Sequence, residues 1–145
     1  MIDRAAIAGL IPHAGSMCLL DSIESWDADT ISCRTRAHRA AHNPLRQNGR
    51  LGALAGIELA AQAMAAHGRL AGAVSERPRA GFIASLRDVA CHGARLDQFA
   101  EDLVVTATRL MGDDNHVMYA FAISCASQEL VTGRATVVLQ ADPPP

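Results

Sequence analysis

Aromatic side chains are scarce in this chain: one Trp, one Tyr and three Phe in 145 residues. Five rings leave little for stacking on nucleic-acid bases. A formal net charge of -2 and a pI near 6.3 give no bulk attraction to nucleic acid or to an anionic membrane. No nucleic-acid partner is therefore expected. Long apolar runs are also missing. The most apolar stretch, residues 51–66, falls short of the roughly 20 residues that a bilayer-crossing helix needs, and its Ala and Gly content makes it only weakly hydrophobic. No membrane span is expected. Cysteine is sparse and scattered: Cys18, Cys33, Cys91 and Cys125 form no CxxC. They read as small, mostly buried hydrophobes in a reduced compartment rather than as disulfides or a zinc site. The N-terminal stretch carries Asp3 and Arg4 and no apolar core of secretory-signal length, so a cytoplasmic location is expected.

Half of the residues are hydrophobic and 19% are charged, the balance of a globular chain rather than a disordered one. The length suits one domain over residues 1–141, with 142–145 as a short tail. Residues 51–66, LGALAGIELAAQAMAA, carry only two polar side chains, Glu58 and Gln62, which lie four apart and share a helix face. A helix apolar all round is normally buried. A buried carboxylate must neutralise or find a partner, so Glu58 is either a structural acid paired with an arginine or a group aimed into a cleft.

The remaining pattern places elements around this helix. Residues 3–10 read as a short helix and 17–23 as a short apolar run. Residues 30–37 alternate, with Ile31, Cys33, Thr35 and Ala37 on one side, as a half-buried strand does. Residues 38–49 are polar and rich in turn formers, including Asn43-Pro44 and Asn48-Gly49. The helix should stop near His67-Gly68. Strands follow at 81–89, 103–110, 116–126 and 129–140, the middle pair joined by a turn at 111–115 and the last pair by Ser127-Gln128. In the third of these, Val117, Tyr119, Phe121 and Ile123 share one side; Met118, Ala120, Ala122 and Ser124 share the other, where small side chains would let a helix approach. The expected class is α+β: a curled antiparallel sheet wrapped around a central helix, with one flank left for a second subunit to cover.

Five ordered pieces then carry a resemblance. Ile11-Pro12-His13 is followed by Met17-Cys18-Leu19-Leu20-Asp21; His42-Asn43-Pro44 precedes Glu58, and Gln62 completes an ExxxQ pair; Gly81-Phe82-Ile83 and a terminal strand over 131–139 close the set. Over most of its length the chain resembles the hotdog-fold β-hydroxyacyl-acyl carrier protein dehydratases, nearest a divergent branch of small 3-hydroxyacyl dehydratases. The resemblance implies dehydration of 3-hydroxyacyl thioesters held on acyl carrier protein or coenzyme A, as in fatty acid or polyketide biosynthesis. It implies His42 as base and Glu58 as acid, contributed by different subunits. The partner would be a second copy or a related subunit, and no cofactor or metal is implied. Neutral histidine suits the base at pH 7, and a carboxyl kept protonated by burial suits the acid. By the same resemblance an oxyanion donor falls on the N–H of Ala53, beside Gly52. Gln62 would contact substrate, orient Glu58 or hold the leaving water.

Two departures stand out. His42 lies sixteen residues before Glu58, two more than the usual fourteen, and Gly52-Ala53 replace a Pro-Gly pair. The spacing predicts an insertion that could move His42. It leaves open a weakly active partner subunit of a heteromeric dehydratase, and a hotdog acyl thioesterase remains a further alternative. His38 and His42 have HxxxH spacing but lie among turn residues without a metal-protease glutamate. Arg87, Arg109 and Arg134 read as solvated strand residues, one of which could meet a phosphopantetheine phosphate. His13 reads as packing or capping near the first turn.

Overall fold

The computed structural model describes residues 1–11, 17–71, 81–113 and 115–139, with the backbone only at 81, 82 and 139. His13, the loop around Pro78 and the tail at 142–145 lie outside the described residues. The chain opens with strand β1 (Ile2–Asp3) and helix α1 (Arg4–Ala8), then runs through β2 (Ser22–Trp26) and β3 (Thr30–Thr35) to a one-turn 3-10 helix (Ala37–Arg39). Helix α2 (Ala55–Ala71) leads to β4 (Gly81–Cys91), β5 (Leu103–Gly112), β6 (His116–Cys125) and β7 (Gln128–Leu139). The seven described strands form one antiparallel sheet in the order β1-β2-β3-β5-β6-β7-β4. The curled sheet around one helix is a hotdog fold.

The period-two pattern places the strands well. Ile31, Cys33 and Thr35 are buried, and burial alternates along β6 with Val117, Tyr119, Phe121, Ile123 and Cys125 inward. Burial pushes the Cys33 thiol up to about 12, so it acts as a core hydrophobe. Cys18 and Cys125 are also buried, Cys91 is exposed, and all four are free. In the β5–β6 hairpin, Asp113 Oδ1 accepts the N–H groups of Asn115 (2.8 Å) and His116 (2.9 Å). The β6–β7 turn falls on Ala126 and Ser127, one residue before the expected position, both with left-handed φ (50° and 69°).

Several expectations are corrected. The first helix is five residues long, capped by Asp3, whose Oδ1 accepts the Ala6 N–H (3.0 Å). Strands β1 and β2 were not read from the sequence. Helix α2 runs through Gly68 to Ala71, and it begins four residues later than expected because residues 51–53 are claimed by another segment. Leu96 N–H donates to Leu51 O (2.8 Å) and Ala53 N–H to Ala94 O (3.0 Å). Nor does α2 pack on the small face of β6. It lies on the bulky face, where Gly56 brings the helix close enough that an added Cβ would sit 3.3 Å from Val131 and 3.4 Å from Ile123. The large side chains fill the space a curved sheet leaves over a helix, and a helix glycine makes the room.

Wrapping is also incomplete. Gly56, Leu59, Ala60, Gln62, Ala63, Met64, Ala66 and His67 are buried, whereas Ile57, Glu58, Ala61 and Ala65 are half-buried along one flank.

Candidate active site

The late start of α2 puts Glu58 in its first turn rather than near its middle. There the N–H groups of Ala55, Gly56 and Ile57 are given to the carbonyls of Gly52, Ala53 and Leu54, which wind the chain into the helix. One turn on, Gln62 is fully buried. Its Oε1 accepts the Leu19 N–H (2.9 Å), and its Nε2 donates to Met17 O (2.6 Å) and to Glu58 Oε1 (3.3 Å). The amide is locked on the segment from Met17 to Leu19 and presents its remaining N–H to the acid. The four-residue spacing read from sequence thus becomes a direct contact, and the Gln62 amide keeps no surface for substrate to touch. Thr35 ties the same segment to β3 by donating its hydroxyl to Leu19 O (2.5 Å).

His42 lies near the same segment. It is exposed and borders a small cleft of about 50 Å³ with Arg4, Cys18, Leu19 and Pro44. Among the described residues no hydrogen bond joins His42 to Glu58 within one chain. Its loop is nevertheless ordered by its neighbours. Asn43 donates Nδ2 to Ala37 O (2.8 Å) and accepts the Leu45 N–H on Oδ1 (2.9 Å).

The loop beyond His42 contains a tight hairpin. Gln47 and Arg50 exchange backbone hydrogen bonds (2.8 and 3.0 Å) across Asn48 and Gly49, both with left-handed φ (54° and 73°). That is a type I′ hairpin turn, which Asn-Gly favours. Residues 47–50 are all exposed, so this hairpin stands on the outside of the loop.

At the helix start Ala53 does not offer a free donor, because its N–H is given to Ala94 O. The N–H groups of Gly52 and Leu54 have no acceptor among the described residues. Gly52 is exposed, and its own carbonyl accepts the Ala55 N–H (3.0 Å).

The other histidines fall elsewhere. His38 is fully buried on the 3-10 turn, its Nε2 bonded to Phe99 O (3.0 Å), and burial holds its pKa down. It shares no face with exposed His42, and among the described residues no cluster of metal-ligating side chains forms. Arg87 is exposed and Arg134 pairs with Asp88, while Arg109 is half-buried.

These features define a hotdog protein with an acid-amide pair on its central helix. Residues 5–144 match the ApeP-like family, described as ApeP dehydratase, and the chain belongs to that family. The fold is shared with the dehydratase heterocomplex ApeI:P from Xenorhabdus doucetiae (24% identity, 93% of this chain and 91% of that chain, TM-score 0.78). It is shared more distantly with a thioesterase from Haemophilus influenzae (13% identity, 97% and 92%, TM-score 0.67). A third is AziG from S. sahachiroi (13% identity, 91% and 99%, TM-score 0.63). No curated protein sequence matches the chain. Among the described residues no helix is long and apolar enough to cross a membrane.

Proposed function

We propose that this protein dehydrates 3-hydroxyacyl thioesters, carried on acyl carrier protein or coenzyme A, to 2-enoyl thioesters in the cytoplasm. The observation that carries the reading is the Glu58–Gln62 pair: a half-buried acid in the first turn of the helix, oriented by an amide that is itself immobilised. His42 of one subunit takes the proton α to the thioester carbonyl. The N–H groups of Gly52 and Leu54 hold the charge that builds on the carbonyl oxygen. Glu58 of the other subunit gives its proton to the 3-hydroxyl, which leaves as water. The C–H and C–O bonds break as the C=C bond forms. Proton return from His42 to Glu58 through water restores the site. Gln62 positions Glu58 and touches no substrate in this scheme.

A second reading has its own support. The ApeI:P neighbour is a heterocomplex, and the N–H of Ala53 is already engaged. On that reading the chain is the weakly active member of a pair and lends its helix flank to a related, fully active subunit.

The purified chain should be given a 3-hydroxyacyl thioester alone and with a related hotdog subunit, while enoyl product and free thiol are followed separately. Enoyl formation that Glu58→Gln lowers by about 10²–10⁴-fold is expected. Wild-type turnover in Glu58→Gln would remove the acid from its role. Activity only in the mixture would favour the second reading, and release of thiol without enoyl product would make the protein a thioesterase.

A further inference from the structure

One arginine that the scheme above does not use holds the whole loop around His42. Arg46 is 15% exposed in its side chain and donates to three carbonyls: Nε to Ala40 O (2.8 Å), Nη2 to His38 O (3.0 Å) and Nη1 to Gly49 O (2.7 Å). The first two acceptors lie two and four residues before His42, and the third lies in the exposed hairpin after it. Nη1 also stands 3.6 Å from Asp97 Oδ2. Asp97, 5% exposed, accepts the Arg95 guanidinium on both oxygens (3.0 and 2.5 Å) and the Leu51 N–H on Oδ1 (3.1 Å). Leu51 opens the short stretch that runs into α2. A guanidinium thus gathers the histidine loop, and its counter-ion ties that loop to the helix start.

We propose that Arg46 and Asp97 are positioning residues of the dehydratase, setting the His42 imidazole against the N–H donors at the start of α2; this rests on the dehydratase reading above. Between the 3-10 turn and Leu51 the chain belongs to no helix or named strand and its backbone bonds are local turns, so no sheet ladder fixes it to the body of the fold. Side-chain bonds to its carbonyls do that work instead. A planar guanidinium serves three carbonyls in fixed directions, which a lysine ammonium does not reproduce. The exposed hairpin gives the clamp its purpose: left untied, it would transmit its motion to the proposed base. A misplacement of about 1 Å in a reacting group costs on the order of 10²-fold in rate. The facing charges are Arg95 and Asp97. The Arg95 guanidinium holds the Asp97 carboxyl well below the usual carboxylate range, so that carboxylate stays ionised wherever the enzyme is assayed. It supplies no limb to a pH profile.

The test uses Arg46→Gln, Arg46→Lys and Asp97→Asn in whichever assembly the wild-type chain is active. The readouts are kcat, KM, pH profile, thermal midpoint and amide hydrogen exchange. Arg46→Gln should lower kcat by about 10–100-fold with KM held within about threefold and both pH limbs unmoved. Exchange should quicken over residues 39–54 while the sheet keeps its protection. The Arg46→Gln/Asp97→Asn double variant should lose little more than the worse single, as coupled residues do. Wild-type kcat with a released loop, or a loss carried wholly by KM, overturns the proposal. Should Arg46→Gln not fold, Arg46→Lys decides by the same criteria. A wild-type chain that forms no enoyl product in any assembly fells the dehydratase reading before any variant is compared; an active wild type with indifferent variants fells the clamp alone.

Discussion

Glu58 and His67 ride the same helix and differ in what surrounds them. Glu58 is half-buried in the first turn, whereas His67 is buried at the far end with both ring nitrogens occupied. The Asp27 carbonyl can only accept, so Nε2 carries the proton and donates to it (3.0 Å). Nδ1 then accepts the Tyr119 hydroxyl (2.8 Å). Burial, with Arg109 nearby, lowers the His67 pKa, and burial pushes the Tyr119 hydroxyl up to about 12, so both groups are neutral in the folded protein. The folded state therefore binds the His67 proton less readily than the unfolded chain does. Its contribution to stability is fully present above the unfolded value of about 6.5 and is lost as pH falls through the lower folded value. Burial shifts His38 in the same direction. Thermal midpoints measured from pH 8 down to pH 5 should fall for the wild type and fall less steeply for His67→Gln. Equal slopes in the two proteins would show that this histidine is not neutral and enclosed.

At the scale of the element, α2 holds two glycines with opposite consequences. Gly56 abuts Val131 and Ile123, so Gly56→Val should force the helix off β6 and β7 and destabilise the fold by about 1–3 kcal/mol. Gly68 has nothing within 4 Å of an added Cβ and lies inside the helix, so Gly68→Ala should stabilise it by about 0.5–1 kcal/mol. Urea midpoints of the two variants, moving in opposite directions, check both. Gly68 also marks where local rules fail: a glycine near a helical end reads as a stop, yet packing of the last turn outweighs its propensity cost. The long strands were legible because alternation is a local property of each. The start of α2 was not, since it is set by pairing with residues 94–96, some forty positions away. The inward face of β6 was misread because filling a curved sheet depends on total volume, which no single strand reveals. In the same way Glu58 and Gln62 announced themselves by spacing, and Arg46 and Asp97 gave no sign in a polar loop and a connection far apart in sequence.

For the molecule as a whole the unfinished boundary is the outer edge of β4. The sheet ends at β1 with two residues but at β4 with eleven, and long open strand edges invite further pairing. Residues 84–89 are exposed, including Leu86 (41%) and Val89 (37%). Leu86 is registered opposite Ala135, which is buried on the helix side of the sheet, and directly opposed residues share a face. An apolar side chain left bare on the inner face of an edge strand is what a second subunit would cover. Antiparallel pairing of two β4 strands would continue the sheet and close both helix flanks at once. It would also bring one subunit's helix to the border of the other, where the proposed scheme needs His42 and Glu58 to meet. The bulges between Ile83 and Ser85 and between Arg87 and Ala90, with Asp88 at left-handed φ and paired to Arg134, restrict which strand can dock. Sedimentation equilibrium should therefore give twice 15.3 kDa for the wild type, or a one-to-one complex with a related subunit, and 15.3 kDa for Leu86→Arg under the same conditions. Leu86→Arg should lose enoyl formation along with its partner while keeping its thermal transition. Full activity in a monomeric Leu86→Arg chain would place the whole site within one subunit and refute the shared arrangement.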